Sequence, residues 1–347
     1  MANGIVGVDI GSTSLRAVEV MDAAGSKPSI ARYFEVPLPE GAAESGEVVE
    51  LNTVAGAFRT LWTNGGFKSK DVVLGMGNQR VLARDLTVPK ANIKTIREAL
   101  PFQVQDLLLV PVAEAILDFY PVSESESETG PVVNGLLVAA VKSAVMANVR
   151  AVELAGLNPV GVDLIPFALA RVHLRGPAAR GTIALIDVGS TTTTVVIATD
   201  GIPQFVRIIP AGGDDISRAL VTRLEVTHPQ AEQIKRALGL SSAGVAPEHR
   251  MAVEAIYESA SQLLTSLRNT LSYFVNARQQ DGIGRIILSG GGSRLNGLDA
   301  ALSEITKLPV SSGGGFADVQ VSKTAGKDGA GYDGMSVALG LALGSKA

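Results

Sequence analysis

The 347-residue sequence contains no cysteine, which excludes disulfides and thiol chemistry. Its three histidines, His173, His228 and His249, are scattered without metal-ligand spacing, so no zinc centre is expected. Aromatic residues make up 4% of the chain, little material for a sugar-binding pocket. No block of lysine and arginine interrupts a balance of net charge -4, and no nucleic-acid partner is expected. Apolar runs fall short of the roughly 20 residues that a spanning helix needs, so no direct membrane insertion is expected. The N-terminus lacks a basic segment and Asp9 breaks its apolar run, which argues against a signal peptide and for a cytoplasmic protein. There is no G-x-x-x-x-G-K-[ST] phosphate loop and no G-x-S-x-G nucleophile elbow. What is present is a 46% hydrophobic, 18% charged chain, long enough for two core-bearing domains.

The periodicity alternates strands and helices. Strands are expected at 5–10, 15–20, 72–75, 81–88, 115–122, 132–141 and 160–164, with helices at 53–64, 93–103, 142–155 and 166–174. The polar run Ser-Glu-Ser-Glu-Ser-Glu-Thr-Gly at 123–130 reads as a solvated turn. A composition break at 175–181 marks a boundary, after which strands are expected at 182–187, 193–198 and 285–288 and helices at 213–225, 229–238, 248–278 and 334–343.

Both halves open in the same way. "GVDIGSTSLRAVEV" and "LIDVGSTTTTVVIA" each carry an Asp at a strand end, then Gly-Ser-Thr, then a returning strand. Such a corner can gather backbone N–H groups around an anion, with hydroxyls adding hydrogen bonds and the Asp reaching a Mg²⁺ through its water shell. One copy alone is more often an ordinary hairpin or helix entry; two, at the start of two halves, point to a duplicated α/β architecture with a cleft between the copies. A third glycine-rich element, "SGGGSRLNG", follows a strand at 285–288 and could present a helix N-terminus to a nucleotide.

Together the three elements resemble the two phosphate motifs and the adenosine motif of the actin-like ATPase superfamily. The stretches "IREALPFQVQDLLLVPVAEAILDFYPV", "GLLVAAVKSAVMANVRAVELAGLNPVGVDLIPFALAR" and "IPAGGDDISRALVTRLEVTHPQAEQIKRALG" narrow the resemblance to the PilM family of type IV pilus assembly, across nearly the whole chain. Two departures are Arg16, where relatives often carry Lys, and a helix around 96–109 without the expected glutamates.

The resemblance implies an actin-like (ribonuclease H-like) fold of two duplicated α/β domains with an FtsA-like inserted subdomain. Its implied segments are a first core subdomain at 1–80, an insert at 81–160, a return at 161–180, a second core subdomain at 181–212, a helical nucleotide-side subdomain at 213–282, and a return with the closing helix at 283–347. It implies ATP and Mg²⁺ as ligands. Gly11, Ser12 and Thr13 would contact the terminal phosphates, with Asp9 toward the metal and facing solvent. Gly189, Ser190 and Thr191 would close from the other side, with Asp187 supporting Mg²⁺ or water. Gly212, Gly213 and Asp214 would lie near phosphates or ribose, Glu232 and Lys235 would reach ribose and adenine, and Gly290, Gly291, Gly292 and Arg294 would bracket the adenosine. The plain alternative for Glu232 and Lys235 is a surface ion pair. No general base is identified; Asp163 is as readily a structural strand-end residue, and slow ATP hydrolysis stays open.

The implied partner is the short cytoplasmic N-terminal peptide of a PilN-like inner-membrane protein. It would dock between the first core and the insert, where the helix around 96–100 and the strand at 115–120 either line that groove or close the insert's own core. Other pilus assembly ATPases and self-association stay open. The competing readings are a small-molecule kinase of the sugar type and an FtsA-like division protein. The C-terminal "VALGLALGSKA" lacks the basic amphipathic helix that a direct membrane tether would carry.

Overall fold

The opening aliphatic runs, β1 (Ile5–Ile10) and β2 (Ser14–Met21), form an antiparallel hairpin in which Val6 to Ile10 are buried on both faces of the sheet. The computed structural model describes residues 4–344 apart from 26, 109, 241–245, 279–281, 315–318, 323–324 and 326–333. A third strand, β3 (Ser29–Pro37), pairs with β2. A two-residue hairpin, β4 (Ala43–Glu44) and β5 (Glu47–Val48), then leads into α1 (Leu51–Gly65). Val54, Phe58 and Leu61 recur at helical spacing on the buried face of α1, and burying each of the larger two contributes about 1.5–3 kcal/mol. Gly66 ends the helix at φ 64°, a left-handed position that suits glycine. β6 (Asp71–Met76) returns parallel to β1.

The insert comprises β7 (Val81–Pro89), α2 (Ile93–Gln103), β8 (Ala115–Ser127) and β9 (Gly130–Val141), the three strands in the order β7-β9-β8. Asn92 caps α2 by accepting from Thr95 N–H. Ile96 and Leu100 pack with Val88, Val104, Phe119, Val133 and Leu137 in a core of the insert's own, the second of the two roles open for them. The Ser-Glu run at 123–130 is not a solvated turn. Strand β8 continues through it to Ser127, paired residue by residue with β9, and the turn itself is confined to Glu128 and Thr129. Backbone pairing holds this extension although neither face is buried.

The chain then runs through α3 (Lys142–Leu154), β10 (Asn158–Leu164) and α4 (Ile165–His173). β11 (Thr182–Val188), β12 (Thr193–Thr199) and β13 (Ile202–Ile209) repeat the opening meander. Three helices follow, α5 (Gly213–Leu224), α6 (His228–Leu238) and α7 (Arg250–Ala277), then β14 (Arg285–Ser289), α8 (Leu298–Thr306) and β15 (Val310–Ser312). β16 (Gln320–Val321) and α9 (Ser336–Gly344) end the described fold.

Two compact units result, one of residues 1–175, 201–206 and 315–347, the other of 176–200 and 207–314. The first contains the six-stranded sheet β10-β6-β1-β2-β3-β16; strands β12-β11-β14-β15 of a five-stranded sheet, whose edge strand is β13, are the frame of the second. In the first unit α9 packs on β1, β2 and α4. Glycines permit that approach: a Cβ on Gly7 would lie 2.0 Å from Ala338 O, and one on Gly340 would lie 2.0 Å from Ala168 O. Strands β3, β4, β5, β13, β15 and β16 have no counterpart among the strands expected from the sequence. β3 was obscured by Arg32 and Glu35, whose charges are met by Glu19 and Arg16 on the neighbouring strand.

Candidate functional site

In the first unit the turn from β1 to β2 is closed by Gly11 N–H donating to Ser14 O at 2.9 Å. A Cβ on Gly11 would sit 3.0 Å from that oxygen, so the corner is tight. Ser12 Oγ accepts from Ser45 N–H at 3.1 Å, tying the β4–β5 hairpin to the corner, and Thr13 is exposed. Asp9 does not face solvent as expected. It is 8% exposed, with Arg16 Nη1 3.5 Å from its Oδ2, because the antiparallel register sets the two residues opposite each other. Burial pushes the Asp9 carboxyl up from its ordinary value, and Arg16 offsets this only in part.

In the second unit Gly189 N–H donates to Thr192 O at 2.9 Å, and a Cβ on Gly189 would lie 2.8 Å from that oxygen. Asp187, half-buried, stands opposite Thr194 on β12 and Ser289 on β14. Three turns meet there. Gly213 N–H donates to Gly189 O at 2.9 Å and Asp214 N–H to Ser190 O at 2.8 Å. A Cβ on Gly212 would lie 2.4 Å from Ser190 O; one on Gly290 (φ 84°), 2.4 Å from Val188 O; and one on Gly292, 2.5 Å from Val188 Cγ1. The sequence-selected groups Gly189–Ser190–Thr191, Gly212–Gly213–Asp214 and Gly290–Gly291–Gly292 thus form one cluster of closely packed backbone. Gly212 N–H is itself committed to Asp215 Oδ2 at 2.7 Å and Gly213 N–H to Gly189 O, so these two glycines serve to pack the turns together. Gly291 differs: a Cβ there would meet nothing within 4 Å. Arg294 lies exposed on the same turn.

Glu232 and Lys235, three residues apart on α6, form an ion pair. It is more than a surface pair: Lys235 Nζ also donates to Gly213 O and to Ser217 Oγ, both at 2.8 Å, and the fully buried Ser217 hydroxyl donates to Glu232 Oε1. Burial works against the Glu232 charge, but hydrogen bonds from Lys235 and Ser217 outweigh it and hold the carboxyl below its ordinary value. This network links α6 to the N-terminus of α5 and hence to the glycine cluster.

Sequence reading passed over His228, whose Nε2 lies 2.6 Å from Asp214 Oδ1. Its i,i+4 spacing to Glu232 was the available signal, and Asp214, His228 and Glu232 bring one potential metal-ligand atom each within 4.8 Å of one another. The carboxylates there already face Arg218, Lys235 and Arg236, which balances their charge. Asp163 has a structural contact: its carboxylate accepts from Arg171, which also donates to Gly340 O at 2.9 Å and so ties β10, α4 and α9 together.

A family model described as "Type IV pilus assembly protein PilM" matches residues 7–346. The solved "PilM-PilN type IV pilus biogenesis complex" is 27% identical and superposes with a TM-score of 0.81, covering 98% of this chain and 97% of that one. Ethanolamine utilization protein EutJ from Carboxydothermus hydrogenoformans shares the fold at 17% identity and a TM-score of 0.56, over 97% of this chain and 88% of that one. Cell division protein FtsA of Bacillus subtilis (strain 168) is 24% identical over 258 residues, 67% of this chain; the match spans 58% of the FtsA length. With the two Gly-Ser-Thr corners and the glycine cluster in place on this frame, the chain belongs to the PilM family of type IV pilus assembly proteins, with the actin-like ATPase fold.

Proposed function

We propose that the chain is a nucleotide-responsive scaffold of type IV pilus assembly that binds ATP with Mg²⁺ and couples nucleotide state to capture of a PilN-like peptide. The observation that carries the nucleotide part is the glycine cluster of the second unit, where three turns approach so closely that Cβ atoms on Gly212, Gly290 and Gly292 would collide with backbone or side chain, while Gly291 stays open. The open side of the turn at Gly291 would let a phosphate or ribose approach bare backbone, on a frame fixed by the other three glycines. In this reading Gly11, Ser12 and Thr13 and Gly189, Ser190 and Thr191 hold phosphates. Asp9 and Asp187 hold the cation, Glu232 and Lys235 reach the ribose, and Arg294 lies by the base. Carboxylates at strand ends are donors of the kind Mg²⁺ takes, and the ion would supply positive charge to offset the phosphates. The subdomain limits stated from the sequence, with the insert at 81–160, belong to the same proposal.

For the partner, the support is the family itself and two edge strands: β8 closes one side of the insert sheet and β10 one side of the six-stranded sheet. Exposed Ile116, Val160 and Val162 lie on them, as suits an extended peptide that adds main-chain hydrogen bonds and a few apolar anchors. Among the described residues no helix is long and apolar enough to cross a membrane. Recruitment to the inner face of the membrane would then run through the partner.

The test is calorimetry of Mg·ATP and of a fluorescent peptide from the cytoplasmic N-terminus of the organism's own PilN-like protein, on wild type and Gly291→Val. The open space at Gly291 accepts valine without disturbing the fold, so the variant is expected to keep its melting profile and lose at least about ten-fold in ATP affinity, a loss of about 1.4 kcal/mol. The wild type is expected to bind the peptide with an affinity that changes when Mg·ATP is added. Equal ATP affinity in G291V removes the glycine turn from the site; a peptide that never binds removes the pilus partner.

A further inference from the structure

Asp9, Arg16 and Glu35 stand in a row across three adjacent strands, Asp9 opposite Arg16 and Arg16 opposite Glu35. The arginine is shared unequally. Its Nε donates to Glu35 Oε1 at 2.9 Å, whereas its Nη1 lies 3.5 Å from Asp9 Oδ2. Glycines on two sides leave room for the guanidinium beside the first corner: a Cβ on Gly11 would lie 3.9 Å from Nη1, and one on Gly334 would lie 3.2 Å from Nε. At the second corner Asp187 faces Thr194 at the corresponding place in the register. With two carboxylates to one guanidinium, an ionised row carries one net negative charge next to the corner.

We propose that Glu35 is a positioning residue that engages Arg16 in competition with an incoming polyphosphate, and thereby makes anion binding at the first corner depend on a divalent cation. The inference rests on the nucleotide reading above. A guanidinium binds phosphate best with two N–H groups in its fork, and Glu35 occupies the Nε position of that fork. An anion approaching Gly11–Thr13 then meets an arginine already spent and a row of the wrong sign. A divalent cation held with Asp9 reverses that sign. Loss of the Glu35 charge would leave Asp9 and Arg16 as a neutral pair, with the Nε edge of the guanidinium met at most by a neutral acceptor that a phosphate displaces more readily.

The experiment compares Glu35→Gln with wild type by calorimetry, with ATP in excess Mg²⁺ and with ATP in EDTA. Glu35 is partly solvent-exposed, and the amide keeps its shape, so the melting temperature should hold. Wild type is expected to lose most of its ATP affinity in EDTA, and E35Q to bind ATP in EDTA roughly two- to five-fold more tightly than wild type, the range of an exposed charge pair. A merely structural contact would weaken binding on removal or leave it unchanged, not tighten it. The gain must also vanish in an Arg16→Gln background, since the effect is routed through the guanidinium. No gain in EDTA, or the same gain without Arg16, overturns the role of Glu35 while wild-type ATP binding stands. Failure of wild type to bind ATP under either condition overturns the nucleotide reading and this inference with it.

Discussion

His173 ends α4 with 6% of its surface exposed, and burial lowers its imidazole pKa from the ordinary 6.5 to about 4. The folded chain therefore holds this histidine neutral, while the unfolded chain protonates it below about pH 6.5. Stability from this group is complete above the unfolded value and is lost as pH falls toward the folded one. A gap of about 2.5 units corresponds to about 3 kcal/mol in all, with about 2 kcal/mol gone by pH 5. The assay follows from Trp62, the single tryptophan of the sequence. It packs 5.1 Å from Phe67 with Nε1 donating to Ser69 O at 2.8 Å, in the same compact unit as His173, so its fluorescence reports unfolding of that unit. Urea titrations at pH 7.5 and pH 5.0 should show wild type losing about 2 kcal/mol more than His173→Gln, whose amide does not titrate. If both proteins lose the same amount, His173 is already protonated, or already solvated, in the folded state, and the reasoning fails.

Lys235→Met keeps the apolar stem but leaves the half-buried Glu232 carboxylate with only the exposed Arg236 as a cation, at an expected cost of about 1–3 kcal/mol at neutral pH, read by circular dichroism in urea. Because Lys235 helps to depress the Glu232 carboxyl, the variant should also lose the stability that wild type gives up as pH falls through that depressed value; an unaltered acid limb would refute the pairing. Gly7→Ala places a methyl group 2.0 Å from Ala338 O and 2.6 Å from Ala342 N, so α9 must move off β1, at about 1–3 kcal/mol in the Trp62 urea transition. An unchanged midpoint would mean that α9 sits further from the sheet than these distances say.

The corners were legible because their information is local: strand, Asp, Gly-Ser-Thr and returning strand lie within a dozen residues, and the same is true of helices with clean apolar spacing such as α2. Residues whose meaning depends on a distant partner were not legible. Asp9 looked like a solvent-facing ligand until the register set Arg16 against it, and Arg16 in turn depends on Glu35 from a strand that its own charges disguised. His228 gains a role only because α5 and α6 lie side by side, bringing Asp214 to it. The Ser-Glu run misled for the opposite reason. It lacks apolar residues because neither face there is covered, yet its backbone pairs with β9, and pairing leaves no mark on composition.

The seating of α9 on β1 through Gly7 has a consequence for how the chain is made. Its strand β1 emerges from the ribosome more than 300 residues before the helix that covers it. The second unit has all of its segments in hand by residue 314, whereas the first still awaits 315–347. The half that is begun first is therefore completed second, and until then an aliphatic strand stays uncovered on the side where its cap will sit.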